Sequence, residues 1–520
     1  MRWTTLAAVV GTVAMLCSAC GAGPSDRPVV AVKQGVGGDN PNPTTTKPAD
    51  QAPALETPKG DLEWRDCKAL LNLYGLGPGP DGLVLQCAEF NAPVESNGSV
   101  YGSVAIGVLR AKLANTPADA PPLVLTSGSD RPSTMTLTAL ASGQGNAILS
   151  ARPIVAIDRR GIGDSMAIDC MKAETRRGLN DLGQFTTANG QDAVDTVSAL
   201  SQDATIACKD YLQPQEMAFD TGHGADDLEQ LRKVWEVNTL AIMGTGNGAK
   251  VALAYAQKHP KNVSRLILDS PEGFGLDATT LTEQRLQGAE AAITGFAGRC
   301  TGIKCSLGAD PRQAIINLVE KARAGQLGSI SSNALVTAIS GFLGSPRADQ
   351  GTRVAELSDA LSAADRGDYT ALNGLIMRAE AQTNSDGQFV NRCSDGQQWP
   401  TPAKVRELQT EWGKKYPIFG RDGATGMLAC SAWPVASPQK APTDLKLPVL
   451  VLSSDADPIT GNGGLASVTG ALNSGGARVA AISWRGWGHP ASAHSGCVQQ
   501  AVAAYIESGK LPKNGTVCPA

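Results

Sequence analysis

Three short stretches hold residues that could do chemistry together. The first is LAIMGTGNGAKVALAYAQKHP, Leu240 to Pro260, where a β-like apolar run meets a glycine-rich turn and then a helical pattern. The second is SSDADPIT, which follows the apolar run VLVL and offers Asp457, with Asp455 beside it. The third is RGWGHP, which follows VAAIS and offers His489. An acid and then a histidine, each after a strand, is an order in which hydrolases supply a base and the group that orients it. Such a pair serves a nucleophile, and the turn G-x-S-x-G presents one between a strand and a helix. Here the frame is Gly244-x-Gly246-x-Gly248, with Gly246 in the serine's place. Glycine has no nucleophile, so the covalent route is closed at that position. It also adopts freely the backbone angles that strain a serine by about 1–3 kcal/mol.

The same turn has a competing reading. Gly244, Gly246 and Ala249 match the dinucleotide pattern G-x-G-x-x-G/A, and Asp269 ends the next apolar run, about where a ribose-binding carboxylate would sit. Against it, the unit lies mid-chain after at least two earlier strands, and strand-end carboxylates are common in α/β proteins. No cofactor is expected. Substitute hydroxyls are Thr245, Ser127, Ser129 and Ser270, each more ordinary as a loop or cap hydroxyl. A water activated by His489 and Asp457 would be a weak general-base system. His494 is a second candidate base, Asp455 a second candidate acid, and His223 and His259 read as surface or helix-end residues. Trp484 and Trp487 flank the histidine and suit either a pocket wall or core packing.

The elements that must place these groups follow a βα rhythm. Apolar runs occur in SVYGSVAIGVLRAKL, PPLVLTSGS, RPIVAIDRRGIGDS, VSRLILDSPEG, LPVLVLSSDADPIT and ARVAAISWRGWGHP, separated by helical patterns such as DDLEQLRKVW. Buried runs bounded by turn residues and alternating with helices predict a mostly parallel sheet with helices on both faces. Between residues 274 and 442 only helical periods appear, which predicts an inserted helical cap. The expected organisation is a core of 61–273 and 443–520 with the cap at 274–442.

On these stretches the chain resembles the secreted tripeptidyl-aminopeptidase-like α/β-hydrolases of actinobacteria, which are serine exopeptidases and esterases. VAIDRRGIGDS, LILDSPEG, the cysteine-bounded cap, CSAWP at Cys430, DADPIT and the C-terminal cysteine pair carry the resemblance over nearly all of the mature chain. It implies an α/β-hydrolase fold, with Gly246 at the nucleophile position, Asp457 as the orienting acid and His489 as the base. It also implies an oxyanion loop at TSGSDRP, with Gly128, Ser129 and Asp130. The family's NPGGPG-like loop is altered here, and Asp130 brings a negative charge to where an oxyanion would form, against what catalysis needs.

The N-terminus predicts export. Met1-Arg2, then LAAVVGTVAML, then CSAC has the plan of a signal peptide over residues 1–19. Ser18-Ala19-Cys20 resembles a bacterial lipobox, although the usual leucine three places before the cysteine is Cys17. This implies lipidation of Cys20 and anchoring to the outer face of the cell membrane. Residues 20–60 are dense in Pro, Gly, Thr and Asp and predict a tether. Removing Cys17 and Cys20 from the 12 cysteines leaves an even number for disulfides. Pairing sequence neighbours gives Cys67–Cys87, Cys170–Cys208, Cys300–Cys305, Cys393–Cys430 and Cys497–Cys518. Beyond Cys17 and Cys20 in the expected signal region there is no CxxC pair, and there are only 4 histidines, so no metal is expected. A net charge of −4 from 45 basic and 49 acidic residues gives no footprint for nucleic acid. The leading expectation is a degenerate hydrolase that binds a peptide or acyl ligand, or an envelope protein. The alternatives are an active peptidase or esterase with a substitute nucleophile or water, and a structural scaffold.

Overall fold

In the computed structural model, residues 52–143, 146–186, 192–345, 350–383, 385–434 and 439–520 are described. The expected signal peptide, Cys20 and the tether up to residue 51 lie outside them. The last tether residues lie against the body: Pro53 O accepts from Arg265, and Lys59 N donates to Trp235 O.

Ten strands form one sheet: β1 (Arg65–Asp66), β2 (Leu83–Pro93), β3 (Ser103–Leu113), β4 (Leu123–Thr126), β5 (Ile154–Ile157), β6 (Leu240–Thr245), β7 (Val263–Asp269), β8 (Pro448–Ala456), β9 (Arg478–Trp487) and β10 (Thr516–Cys518). Their order is β1-β2-β3-β5-β4-β6-β7-β8-β9-β10. β1 to β3 are antiparallel neighbours and β3 meets β5 antiparallel; every pairing from β5 through β10 is parallel. The exchange of β4 and β5 in this order, with helices covering both faces, is the α/β-hydrolase fold. β4, β5, β6 and β7 are buried along their whole length. That is why their sequences read as unbroken apolar runs rather than alternating ones.

Two apolar clusters line the two faces of the sheet. A third cluster belongs to the helices between Ala278 and Cys430, with no strand between β7 and β8 among the described residues. Helices Ala173–Asn180 and Ala193–Leu212 also pack into this cap-side cluster, a contribution the periodicity of 274–442 does not reveal. The five disulfides are Cys67–Cys87, Cys170–Cys208, Cys300–Cys305, Cys393–Cys430 and Cys497–Cys518, the sequence-neighbour pairing. No helix among the described residues is long and apolar enough to cross a membrane.

Candidate active site

The glycine turn joins β6 to the helix Gly248–Lys258. Its outer glycines are demanded by packing. A Cβ on Gly244 would lie 2.6 Å from Gly248 O, and one on Gly248 would lie 2.0 Å from Thr126 O. Strand, turn and helix pass too closely for any side chain there. Gly246 differs, because its φ is +56°, the left-handed conformation of a nucleophile elbow. The turn has the backbone of an elbow, with a glycine at its apex.

The missing side chain would point into occupied space. An ideal Cβ at Gly246 lies 3.1 Å from His489 Nε2 but only 2.3 Å from Asp130 Oδ2. The Asp130 carboxylate thus stands where a serine would be. The same oxygen accepts a hydrogen bond from Asn247 N–H at 2.5 Å. This is the amide after the nucleophile position, one of the two donors of an oxyanion hole in this type of site. The Asn247 side-chain oxygen in turn accepts from Ser129 N–H and from Ser129 Oγ, both at 3.1 Å. The oxyanion-loop amide and the elbow amide are both already engaged by side chains. Gly128 makes this possible: its φ is +62°, and a Cβ there would fall 2.4 Å from Asn247 Oδ1. Burial raises the pKa of Asp130, and the nearby Glu272 carboxylate adds to the rise.

The acid and base come together as their strand ends suggest. Asp457 Oδ2 lies 2.8 Å from His489 Nδ1. Asp457 Oδ1 accepts from Ile459 N–H and Thr460 N–H at 2.8 and 3.0 Å. Burial alone would raise the Asp457 pKa; the His489 imidazole and these amides outweigh it and hold it below its ordinary value. Both side chains are almost wholly buried, His489 at 2% exposure. Asp269 fixes the loop that follows the histidine by accepting from Ala491 N–H and Ser492 N–H, each at 2.9 Å. That carboxylate is fully buried and committed to these amides, which leaves the dinucleotide reading of Asp269 without a ribose-binding group.

The other candidates are elsewhere engaged. Thr245 Oγ1 and Thr136 Oγ1 both hydrogen bond Ser127 Oγ, away from the histidine. Ser270 Oγ donates to Asp269. None of the four hydroxyls weighed from sequence is hydrogen bonded to His489 among the described residues. Asp455 is exposed, and His494 stacks on Trp484 with ring centroids 5.2 Å apart. His223 bridges Asp220 and Glu95, and His259 packs on Tyr255 at a helix end. Trp487 is buried beneath the Arg353 guanidinium, so both tryptophans beside His489 serve packing.

A cavity of about 320 Å³ opens between the sheet and the cap. Ser129, Asn247, Glu272 and Ile459 line its core side, Trp399 and Phe419 its cap side. Asp130, Gly246 and His489 are not among the residues that line it. Glu272 went unnoticed in the sequence, although it stands in LILDSPEG directly after β7. It accepts from Asn247 Nδ2 at 3.2 Å and is ion-paired to Lys250 and Arg285. Burial would raise its pKa, but Arg285 and Lys250 overcome this and hold it down to about 2. Arg285 also reaches Asp130 Oδ1 at 3.7 Å. Among the described residues no cluster of His, Cys, Asp and Glu could hold a metal.

Residues 416–518, which carry β8, Asp457, β9 and His489, match the family described as TAP-like protein. Serine protease Hip1 of Mycobacterium tuberculosis is 25% identical over 325 residues, 56% of this chain and 60% of that protein, and Serine protease Hip1 of Mycobacterium bovis matches to the same extent. The chain thus spans about three fifths of the length of these curated relatives. Among solved structures, esterase E22 aligns over 82% of this chain and 100% of its own at 13% identity and a TM-score of 0.39. Proline iminopeptidase of Mycobacterium smegmatis aligns over 81% and 98% at 12% identity and a TM-score of 0.38. The fold stands on its own strand order, and alignments at such TM-scores add nothing to it.

Proposed function

We propose that this chain is a catalytically silent member of the tripeptidyl-aminopeptidase-like hydrolases, exported, lipidated at Cys20, and binding a ligand in the cleft beneath its cap. The observation that carries the reading is Asp130. Its carboxylate takes the serine's space beside His489 and occupies the elbow amide that would stabilise an oxyanion. A carboxyl group already bonded to that donor withholds it from the charge that develops in acyl transfer. Meanwhile the cleft between sheet and cap stays open and mixed apolar and polar, as ligand sites are. The five disulfides support export, since such bonds persist in oxidising compartments. A lipid on Cys20 would place the body at the outer face of the membrane.

The intact Asp457–His489 pair favours one second reading, a water-dependent hydrolase. The two are separated by measuring hydrolysis of a tripeptidyl-coumarin and a short acyl ester by wild type and by His489→Ala. Silence of both forms is the expected outcome. Turnover by wild type that His489→Ala abolishes would overturn the proposal in favour of general-base hydrolysis.

A further inference from the structure

Among the described residues, Arg392 is the cation on the cleft walls with no carboxylate within ion-pair distance. The cavity beside Ser129 and a second cavity, also of about 320 Å³, share a wall formed by Arg285, Asn333, Thr337, Ser340, Arg392 and Gly426. Every acid on these walls already has a cation. Glu272 is paired with Lys250 and Arg285, and Asp395 with Arg159. Asp422 is paired with Arg323, and Asp386 with Arg176. Arg392 differs: among the described residues no carboxylate pairs with it and no hydrogen bond engages it. It lies on the helix Asp386–Asp395, exposed to the shared wall, while its neighbours Asn391 and Cys393 are buried. Partial desolvation, and then the like charge of Arg285, push its pKa down to about 10, which still leaves it charged at neutral pH.

Arg285 is held by Glu272 and Asp130. Asp130 also attracts Arg392 without pairing with it, and the two guanidiniums repel. An oxyanion between them relieves that repulsion. The planar fork of arginine suits a carboxylate or phosphate. The neighbouring wall is apolar, with Leu281, Val336, Trp399, Met427 and Ile459. We infer that Arg392, with Arg285 beside it, forms an anion-recognition point, and that the ligand of this cleft is an amphiphile with a carboxylate or phosphate head and an apolar chain. This inference rests on the reading of the cleft as a binding site rather than a hydrolytic one. A cationic head, such as a free peptide amine, would meet walls whose carboxylates are all engaged.

The test uses the full chain and its tryptophan fluorescence, with Trp399 on the cavity wall as reporter. Decanoate, decyl phosphate, decanol and decyltrimethylammonium are titrated into wild type, Arg392→Met and Arg392→Lys. At least one anionic probe should bind wild type at least about tenfold more tightly than decanol, with the ammonium weakest. Which anion is preferred distinguishes a carboxylate ligand from a phosphate one. Arg392→Met should erase the preference for the anion while leaving decanol binding unchanged, and Arg392→Lys should keep part of it. Thermal melts of both variants check the fold, and Arg392→Lys tests the charge should Arg392→Met unfold. The inference is overturned if decanol binds wild type as well as the anions do, if the preference survives Arg392→Met, or if no probe binds. The first two of these results leave the binding reading standing. That reading falls instead by turnover of ester or peptide in wild type, a separate measurement.

Discussion

Placing a serine at residue 246 should not by itself produce a hydrolase. In Gly246→Ser the new Cβ would sit 2.3 Å from Asp130 Oδ2 and 3.0 Å from His489 Cε1, so the carboxylate has to leave. It leaves behind the Asn247 N–H that it accepts from at 2.5 Å. Losing a hydrogen bond to a charged group costs about 1.5–3 kcal/mol. A serine held at the φ of +56° adds about 1–3 kcal/mol of backbone strain. The single variant should therefore lose roughly 2.5–6 kcal/mol of stability. In Gly246→Ser with Asp130→Ala the strain remains but the displaced carboxylate does not, so the loss relative to Asp130→Ala falls to about 1–3 kcal/mol. Denaturant unfolding of wild type, both single variants and the double should give a coupling of about 2 kcal/mol. Esterase activity should follow the same logic. The double variant frees the elbow amide for an oxyanion, and one such donor is worth roughly a hundredfold to a thousandfold in rate. It should turn over a short acyl ester while Gly246→Ser alone stays near background. A single variant as stable as wild type and as active as the double would refute the placement of Asp130.

Three further outcomes follow from the geometry. Burial, with the charge of Arg353 next, depresses the His494 pKa to about 3, so the fold keeps it neutral while the unfolded chain protonates it near its ordinary value of 6.5. Stability from this group is full above about pH 6.5 and is lost as pH falls toward about 3, by on the order of 4–5 kcal/mol at most; His494→Gln should flatten the fall in Tm between neutral pH and about pH 4. The buried Arg160 grips the buried Asp227 through Nε and Nη2 and also donates to the carbonyls of Pro93, Val94 and Ala218. Arg160→Met should cost about 3–5 kcal/mol in urea unfolding, and adding Asp227→Leu should recover part of it. Cys393–Cys430 ties two segments of the cap 37 residues apart, so replacing both with alanine should lower stability by about 2–4 kcal/mol without altering the Asp457–His489 pair; a loss of the His489 imidazole's environment by NMR would contradict this.

Much of the fold was legible along the chain because it depends on local patterns. Strands buried on both faces must be apolar throughout, so β4 to β7 could be found as runs, and helical periods alone marked the segment between β7 and β8. The order of elbow, acid and base was legible too, since each follows a strand and a parallel sheet brings strand ends to one edge. The absence of a serine is a fact of residue 246 itself. What stood in its place was not legible. Asp130 precedes Gly246 by more than a hundred residues, and only the adjacency of β4 and β6 sets the loop after one against the turn after the other. The same holds for Glu272, Arg285 and Arg392. Nothing in their sequence surroundings says that two arginines from different cap helices share a cavity wall, or that every carboxylate around them is already paired. Charge balance in a cleft is a sum over residues brought together by packing, and tertiary structure alone determines which charges enter that sum.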